Sequence, residues 1–126
     1  MNIPAEPRYS SDHEWVRVEG TTATIGITEY AQDALGDVVF VEMPDAGLAV
    51  AAGESFSEVE STKSVSDIYA PITGSISEVN AELESQPELL NSDPYGAGWI
   101  CRIEISDPSE LDGLMDAEAY RALTEG

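Results

Sequence analysis

Lysine is almost missing from this chain, and positive side chains are scarce altogether. The 126 residues hold five Lys and Arg against 25 Asp and Glu, a formal net charge of −20. So acidic a surface repels nucleic acid and anionic membrane, which argues against both as partners. It suits transient docking on basic patches of larger proteins, or secures solubility alone. One cysteine leaves no internal disulfide framework and fits a reducing compartment. One histidine, His13, beside that one cysteine leaves no metal-ligand cluster and no Cys–His nucleophile pair. No Gly-rich phosphate loop of the required spacing is present, so no machinery for an enzyme acting alone is visible. No apolar run approaches the roughly 20 residues of a membrane helix. The start, Met1-Asn2-Ile3-Pro4-Ala5-Glu6-Pro7, has neither the basic nor the apolar region of a signal peptide. A cytoplasmic location is expected.

What remains is the composition of a folded domain, 42% hydrophobic and 24% charged, with Gly and Pro spread through the first hundred residues. A single domain is expected over 1–126, with a β-rich core at 9–105 and a helical tail at 107–125. Residues 1–9 read as an extended lead-in. His13 to Val18 and Thr22 to Ile27 form a hairpin around Glu19-Gly20-Thr21. Thr28 caps a short helix, Glu29 to Leu35, whose Tyr30, Ala31, Ala34 and Leu35 share one face, and Gly36 ends it. Val38-Val39-Phe40-Val41 reads as a mostly buried strand. Short strands follow around Leu48 to Val50, Ser55 to Glu60, Ser66 to Ala70 and Gly74 to Val79. A helical turn at Pro87 to Leu90 and a dense turn cluster at Asn91 to Gly98 come next. In the last strand, Trp99 to Ile105, the residues Trp99, Cys101, Ile103 and Ile105 alternate onto one face, which makes Cys101 a buried, inert thiol. Asp107, Pro108 and Glu110 signal a helix start, and Asp116 caps a last helix with Tyr120 and Leu123 inward. The expected class is mainly β, a sandwich or flattened barrel with a short helix in the first half and a helical tail.

The lone lysine, Lys63, sits in Glu60-Ser61-Thr62-Lys63-Ser64-Val65-Ser66-Asp67, between two near-copies of one motif. Val41-Glu42-Met43-Pro44-Asp45-Ala46-Gly47 and Ile68-Tyr69-Ala70-Pro71-Ile72-Thr73-Gly74 both read apolar-x-apolar-Pro-x-x-Gly, a strand entering a Pro-initiated turn closed by Gly. The repetition implies quasi-two-fold symmetry with Lys63 at an exposed tip. Four roles compete for it. A plain surface lysine is the default for any single lysine. Schiff-base catalysis needs an uncharged amine, and the nearby acids Glu60 and Asp67 favour the charged form. A biotin carrier usually places its lysine between methionines, where Thr62 and Ser64 stand here. The fourth is a lipoyl carrier.

Here a resemblance becomes specific. The chain resembles the H protein of the glycine cleavage system nearly end to end. The matching stretches are His13-Glu14-Trp15-Val16, Thr24-Ile25-Gly26-Ile27-Thr28 with Tyr30-Ala31-Gln32, and Leu35-Gly36-Asp37-Val38-Val39-Phe40-Val41. They continue through Glu58-Val59-Glu60-Ser61 with Lys63, Ser66-Asp67-Ile68-Tyr69-Ala70-Pro71 with Gly74, and Asn91-Ser92 with Pro94-Tyr95 and Gly98-Trp99. The resemblance implies a barrel-sandwich hybrid of the lipoyl/biotinyl-carrier kind, with two packed antiparallel sheets. It implies lipoate attached covalently to Lys63 and no stand-alone catalytic activity. The implied partners are a pyridoxal-phosphate glycine decarboxylase, a tetrahydrofolate-dependent aminomethyltransferase, dihydrolipoamide dehydrogenase and a lipoate-attaching enzyme, visited by a monomer. Glu14 and Asp67 match family positions lining the cleft that holds the arm, and Glu60 matches a recognition position for lipoate attachment. Asp12 and Ala34 depart from residues some relatives carry beside the arm. Two other roles fit the same lysine: a relay donating lipoate to other lipoyl domains, or a non-lipoylated interaction module.

Overall fold

Alternation of apolar and polar side chains over stretches of five to seven residues dictates strands, and the Gly and Pro punctuation keeps them short. The computed structural model describes residues 3–125; the first two positions of the lead-in and the final Gly126 lie outside it. Nine strands form two antiparallel sheets among the described residues. They are β1 (Arg8–Tyr9), β2 (Glu14–Glu19), β3 (Thr22–Ile27), β4 (Val38–Glu42), β5 (Ala49–Val50), β6 (Ser55–Ser61), β7 (Val65–Tyr69), β8 (Gly74–Val79) and β9 (Cys101–Ile105). The six-stranded sheet runs β1-β2-β3-β9-β8-β5 and the three-stranded sheet β4-β6-β7. The result is a sandwich of two sheets, mainly β as expected, and not a closed barrel.

Helix α1 (Glu29–Leu35) joins the two sheets, with the Thr28 side chain accepting from the Ala31 N–H and Gly36 at φ 80° closing it. Helices α2 (Glu82–Ser85) and α3 (Leu89–Ser92) fill the connection to β9, and α4 (Ala117–Glu125) ends the chain. No helix of the described residues is long and apolar enough to cross a membrane.

The main core lies between the sheets and includes Val16, Ile25, Val41, Val59, Ile68, Ile76, Cys101 and Ile103. A second core, Ile3, Tyr9, Trp15 and Tyr120 with Tyr95, Trp99 and Met115 packed on it, covers the far side of β2. Strand β2 is therefore buried on both faces at its start, Val16 serving one core and Trp15 the other. The Trp15 indole N–H donates to the Pro94 carbonyl at 2.8 Å. Its ring leaves Gly26, opposite it on β3, no room for a side chain: a Cβ there would stand 2.5 Å from the indole.

Several expectations from sequence change. Residues 8 and 9 are not a loose lead-in; they form β1, and Tyr9 exchanges backbone hydrogen bonds of 2.8 Å with Met115 of the tail. Val39 and Phe40 are 53% and 49% exposed, because β4 has a register irregularity between Val38 and Phe40 that turns them outward. Trp99 precedes β9 and packs in the second core under the Arg102 guanidinium, away from Cys101 and Ile103. The segment after Asp107 is a 3₁₀ helix, Pro108–Gly113, and Glu110 leaves its local cap to accept from the Thr73 N–H and hydroxyl. Asp116 does cap α4 through the Ala119 N–H, but only Tyr120 is buried, while Leu123 is 49% exposed. Cys101 is buried as expected, and burial pushes its thiol up to about 12.

Gly26→Ala is expected to destabilise the protein by roughly 1–3 kcal/mol, because the indole must leave its packed position. Urea unfolding followed by Trp fluorescence checks this, and an unchanged midpoint would contradict it.

Candidate functional site

Antiparallel pairing of β6 with β7 requires a turn at residues 62–64, and that turn carries Lys63 to the surface. The turn is stapled from within. The Ser61 hydroxyl donates to the Ser64 carbonyl and accepts from the backbone N–H groups of Lys63 and Ser64, at 3.1 to 3.2 Å. The Ser61 N–H donates to the same carbonyl at 2.8 Å. From outside, the Thr62 N–H donates to the Asp37 carbonyl at 3.0 Å, docking the turn on the junction between α1 and β4. Lys63 is exposed and makes no ion pair among the described residues. Its aliphatic stem crosses Gly36, where a Cβ would stand 3.1 Å from Lys63 Cε. Glycine therefore serves there twice, for its positive φ and for the passage of the stem.

Next to the turn is an open cavity of about 230 Å³. One wall is the α1 face of Tyr30, Ala31, Ala34 and Leu35, the same four residues the helical spacing places together. The opposite wall is Ser64, Ser66, Asp67 and Ile68, and Asp12, His13 and Ile27 close the remaining side. The lining is thus half apolar ring and methyl surface and half polar, with the carboxylates of Asp12 and Asp67.

The sequence candidates fall in different settings. Asp67 lines the cavity from β7, and Lys63 stands on the neighbouring turn, outside that lining. Glu60 is exposed on β6, paired with Phe40 on one side and Val65 on the other. Glu14 is only 1% exposed. It shares the Val16 face of β2, and its carboxylate accepts a 2.6 Å hydrogen bond from the Ser10 hydroxyl. Burial pushes this carboxyl up to about 7, against the opposing help of Ser10 and the Tyr69 backbone N–H. Ala34 leaves its part of the cavity wall to a methyl group, and Asp12 adds a second acid to the lining.

Sequence reading missed His13. Its backbone takes the left-handed region at φ 69°, and its ring lines the cavity, 4.5 Å from the Tyr30 ring. The Nδ1 atom lies 2.8 Å from the Tyr120 hydroxyl of α4, 107 residues away, so nothing local could have shown it. A row of acids also crosses the three-stranded sheet, Glu42 opposite Glu58 and Glu58 opposite Asp67. Hydrogen bonding with Glu42 pushes Glu58 above its ordinary range, as like charges in register require. Among the described residues no cluster of side chains is placed to hold a metal ion.

A protein-family model described as glycine cleavage H-protein matches residues 7–126. A glycine cleavage system H protein of Symbiobacterium thermophilum is 56% identical over 98% of this chain and 97% of its own. One from Mycobacterium tuberculosis is 58% identical over 98% of each. The crystal structure of a glycine cleavage system H protein from Mycobacterium marinum superposes with a TM-score of 0.90 at 42% identity, covering 98% of this chain and 100% of that one.

The buried Glu14 carboxyl generates a pH prediction. A carboxyl whose value is raised from 4.5 to about 7 in the fold stabilises it fully below 4.5 and loses that contribution as pH rises to about 7. Relative to Glu14→Gln, the wild type is therefore expected to lose on the order of 3 kcal/mol across that window and nothing further above it. Urea unfolding of both proteins through the window measures this, and parallel stability curves would contradict it.

Proposed function

The chain belongs to the glycine cleavage H-protein family, and we propose that it serves as that system's lipoyl-carrying shuttle, with the lipoyl group in amide linkage on Lys63. The observation that carries the assignment of Lys63 is its setting. The single lysine of the chain stands exposed, with no ion pair among the described residues, on an internally stapled turn beside a cavity half apolar and half polar that carries the acids Asp12 and Asp67. When bound, the lipoyl group supplies a dithiolane that takes up the aminomethyl group of glycine and later yields one carbon and ammonia.

The chain's own residues do the holding. The Ser61 staple and the Thr62–Asp37 hydrogen bond give an attaching enzyme a fixed target, so acylation needs no unfolding of the scaffold. Gly36 lets the lysine stem lie along the junction that leads to the cavity. Tyr30, Ala31, Ala34 and Leu35 offer an apolar surface for a thioalkyl chain, and Asp67 and Asp12 offer acceptors for a cargo ammonium. Glu14, adjacent to His13 and close to neutrality in its proton equilibrium, is the internal carboxyl of this region. Glu60, three residues before Lys63 on an exposed strand, is the proposed recognition residue for lipoate attachment.

The proposed partners are the glycine decarboxylase, the aminomethyltransferase, dihydrolipoamide dehydrogenase and the lipoate-attaching enzyme. No step of the chemistry is given to this chain alone. A net charge of −20 favours rapid, salt-sensitive encounters with basic patches, which lets one carrier exchange between several enzymes. Tethering raises the cargo's effective concentration at each of them.

Incubation with lipoate and its ligase is expected to raise the intact mass by one lipoyl group and to leave Lys63→Arg unchanged. The modified form, and not the unmodified one, is expected to support glycine–bicarbonate exchange by the decarboxylase. A modified protein that gives no exchange, yet donates its lipoate to another domain, would overturn the shuttle reading in favour of a relay.

A further inference from the structure

Three side chains from distant parts of the chain meet behind the cavity. Thr28 is fully buried, and its oxygen accepts the Ala31 N–H at 3.2 Å while lying 2.7 Å from the Tyr120 hydroxyl. The Tyr120 hydroxyl lies 2.8 Å from His13 Nδ1. A buried hydroxyl needs an acceptor for its own hydrogen. The Ala31 N–H is a donor, so among the described residues the Thr28 hydrogen can go only to the Tyr120 oxygen. The Tyr120 hydrogen is then directed to His13 Nδ1. The chain of donors runs one way, from the Ala31 N–H through Thr28 and Tyr120 to the imidazole.

An imidazole nitrogen that accepts carries no hydrogen, so the neutral His13 ring has its proton on Nε2. An imidazolium would put a hydrogen on Nδ1 and force Tyr120 to turn back towards Thr28. The Thr28 hydrogen would then have no acceptor among the described residues. The position is also stiff. His13 is held at φ 69° by its own N–H to the Ser10 carbonyl and by its carbonyl to the Thr28 N–H, both 3.1 Å. Tyr120 is stacked on Tyr9 with ring centroids 4.7 Å apart.

We propose that Thr28 and Tyr120 are positioning residues that keep His13 neutral with its proton on Nε2, so that the cavity beside Lys63 presents acids and no imidazolium to a cationic cargo. This rests, for the cargo, on the reading of that cavity as the resting place of a lipoyl arm. The groups facing the ring or flanking it in the chain are Asp12 and Glu14 on its own segment, Tyr30 from α1, Tyr120 from α4, and Asp67 from the hairpin across the cavity. Of these, Asp12 opposes the device by favouring the charged ring, whereas burial lowers the value of His13 and acts with it. The C-terminal helix thereby acts on the cavity from the opposite end of the chain, through one hydroxyl.

The test uses the full chain without its arm. Long-range ¹H–¹⁵N spectra of the single histidine, titrated with pH, report its tautomer and its midpoint directly. The wild type is expected to show the Nε2–H form and a midpoint below 6.5. Tyr120→Phe keeps the ring stack and is expected to raise the midpoint by about one pH unit, a tenfold change in the protonated fraction. Thr28→Ser, which keeps the hydroxyl and with it the direction of the donor chain, is expected to keep the wild-type tautomer and midpoint. An Nδ1–H tautomer in the wild type, or a midpoint that Tyr120→Phe leaves in place, would overturn the proposal. In aminomethyl-loaded protein, Tyr120→Phe is expected to release ammonia several-fold faster than wild type at pH 6 and at the same rate at pH 8. Equal release at both would overturn the link to the cargo. Failure of Lys63 to accept lipoate would contradict the carrier reading while leaving the nitrogen signals unmoved, so the two failures are distinguishable.

Discussion

One amide side chain holds the part of the molecule on which Lys63 depends. Asn91, at the start of the turn cluster, accepts the Val38 N–H at 2.8 Å and donates to the Gly36 carbonyl at 2.8 Å and the Gln32 side chain at 2.9 Å. These bonds tie the end of α1, the glycine and the first residue of β4 to one point. Backbone groups at such a junction have no ladder partner of their own and must be satisfied by a side chain. The Asp37 carbonyl, between the two tied residues, is then fixed to receive the Thr62 N–H, and Gly36 is fixed to let the lysine stem pass. The cavity follows from the same arrangement, because its walls are the helix before the junction and the strand after the turn. A single half-buried amide thus sets the separation of the two walls.

The electrostatics follow from too many acids on too small a domain. Most are exposed and solvated, where like-charge repulsion is screened. Two places depart from this. Glu42, Glu58 and Asp67 face one another across the three-stranded sheet, and hydrogen bonding with Glu42 and the neighbouring acids push the Glu58 carboxyl above its ordinary range. Glu14 is buried outright and held near neutrality by desolvation. Neither helps the fold once the carboxyls ionise. Such costs are tolerated where a surface must attract cations, which is the property proposed for the cavity and for docking.

Much of the frame was legible in the sequence because its signals are local. The β2–β3 hairpin, α1 with its Thr28 cap and Gly36 end, and the β6–β7 turn are each written within a few neighbouring residues. The cavity wall on α1 is also local, since helical spacing alone gathers Tyr30, Ala31, Ala34 and Leu35. What escaped was long-range. β1 is two residues long and depends on pairing with β2 and with Met115. The exposure of Val39 and Phe40 depends on a bulge, which composition does not mark. Trp99 follows the period of β9 on paper, yet the second core claims it. Glu14 enters from sequence only as a match to a cleft-lining position, and its burial against Ser10 and Tyr69 is written in no local pattern, while His13 reads as solitary until Tyr120 arrives from the other end of the chain.

An arm attached at Lys63 is expected to rest in the neighbouring cavity instead of trailing in solvent. Backbone amide spectra of the chain with and without the lipoyl group test it most directly. Shifts are expected to extend past the turn to Tyr30, Ala31 and Ala34 of α1 and to Ser66 and Asp67 of β7. Changes confined to residues 61–65, with the α1 signals unmoved, would contradict it.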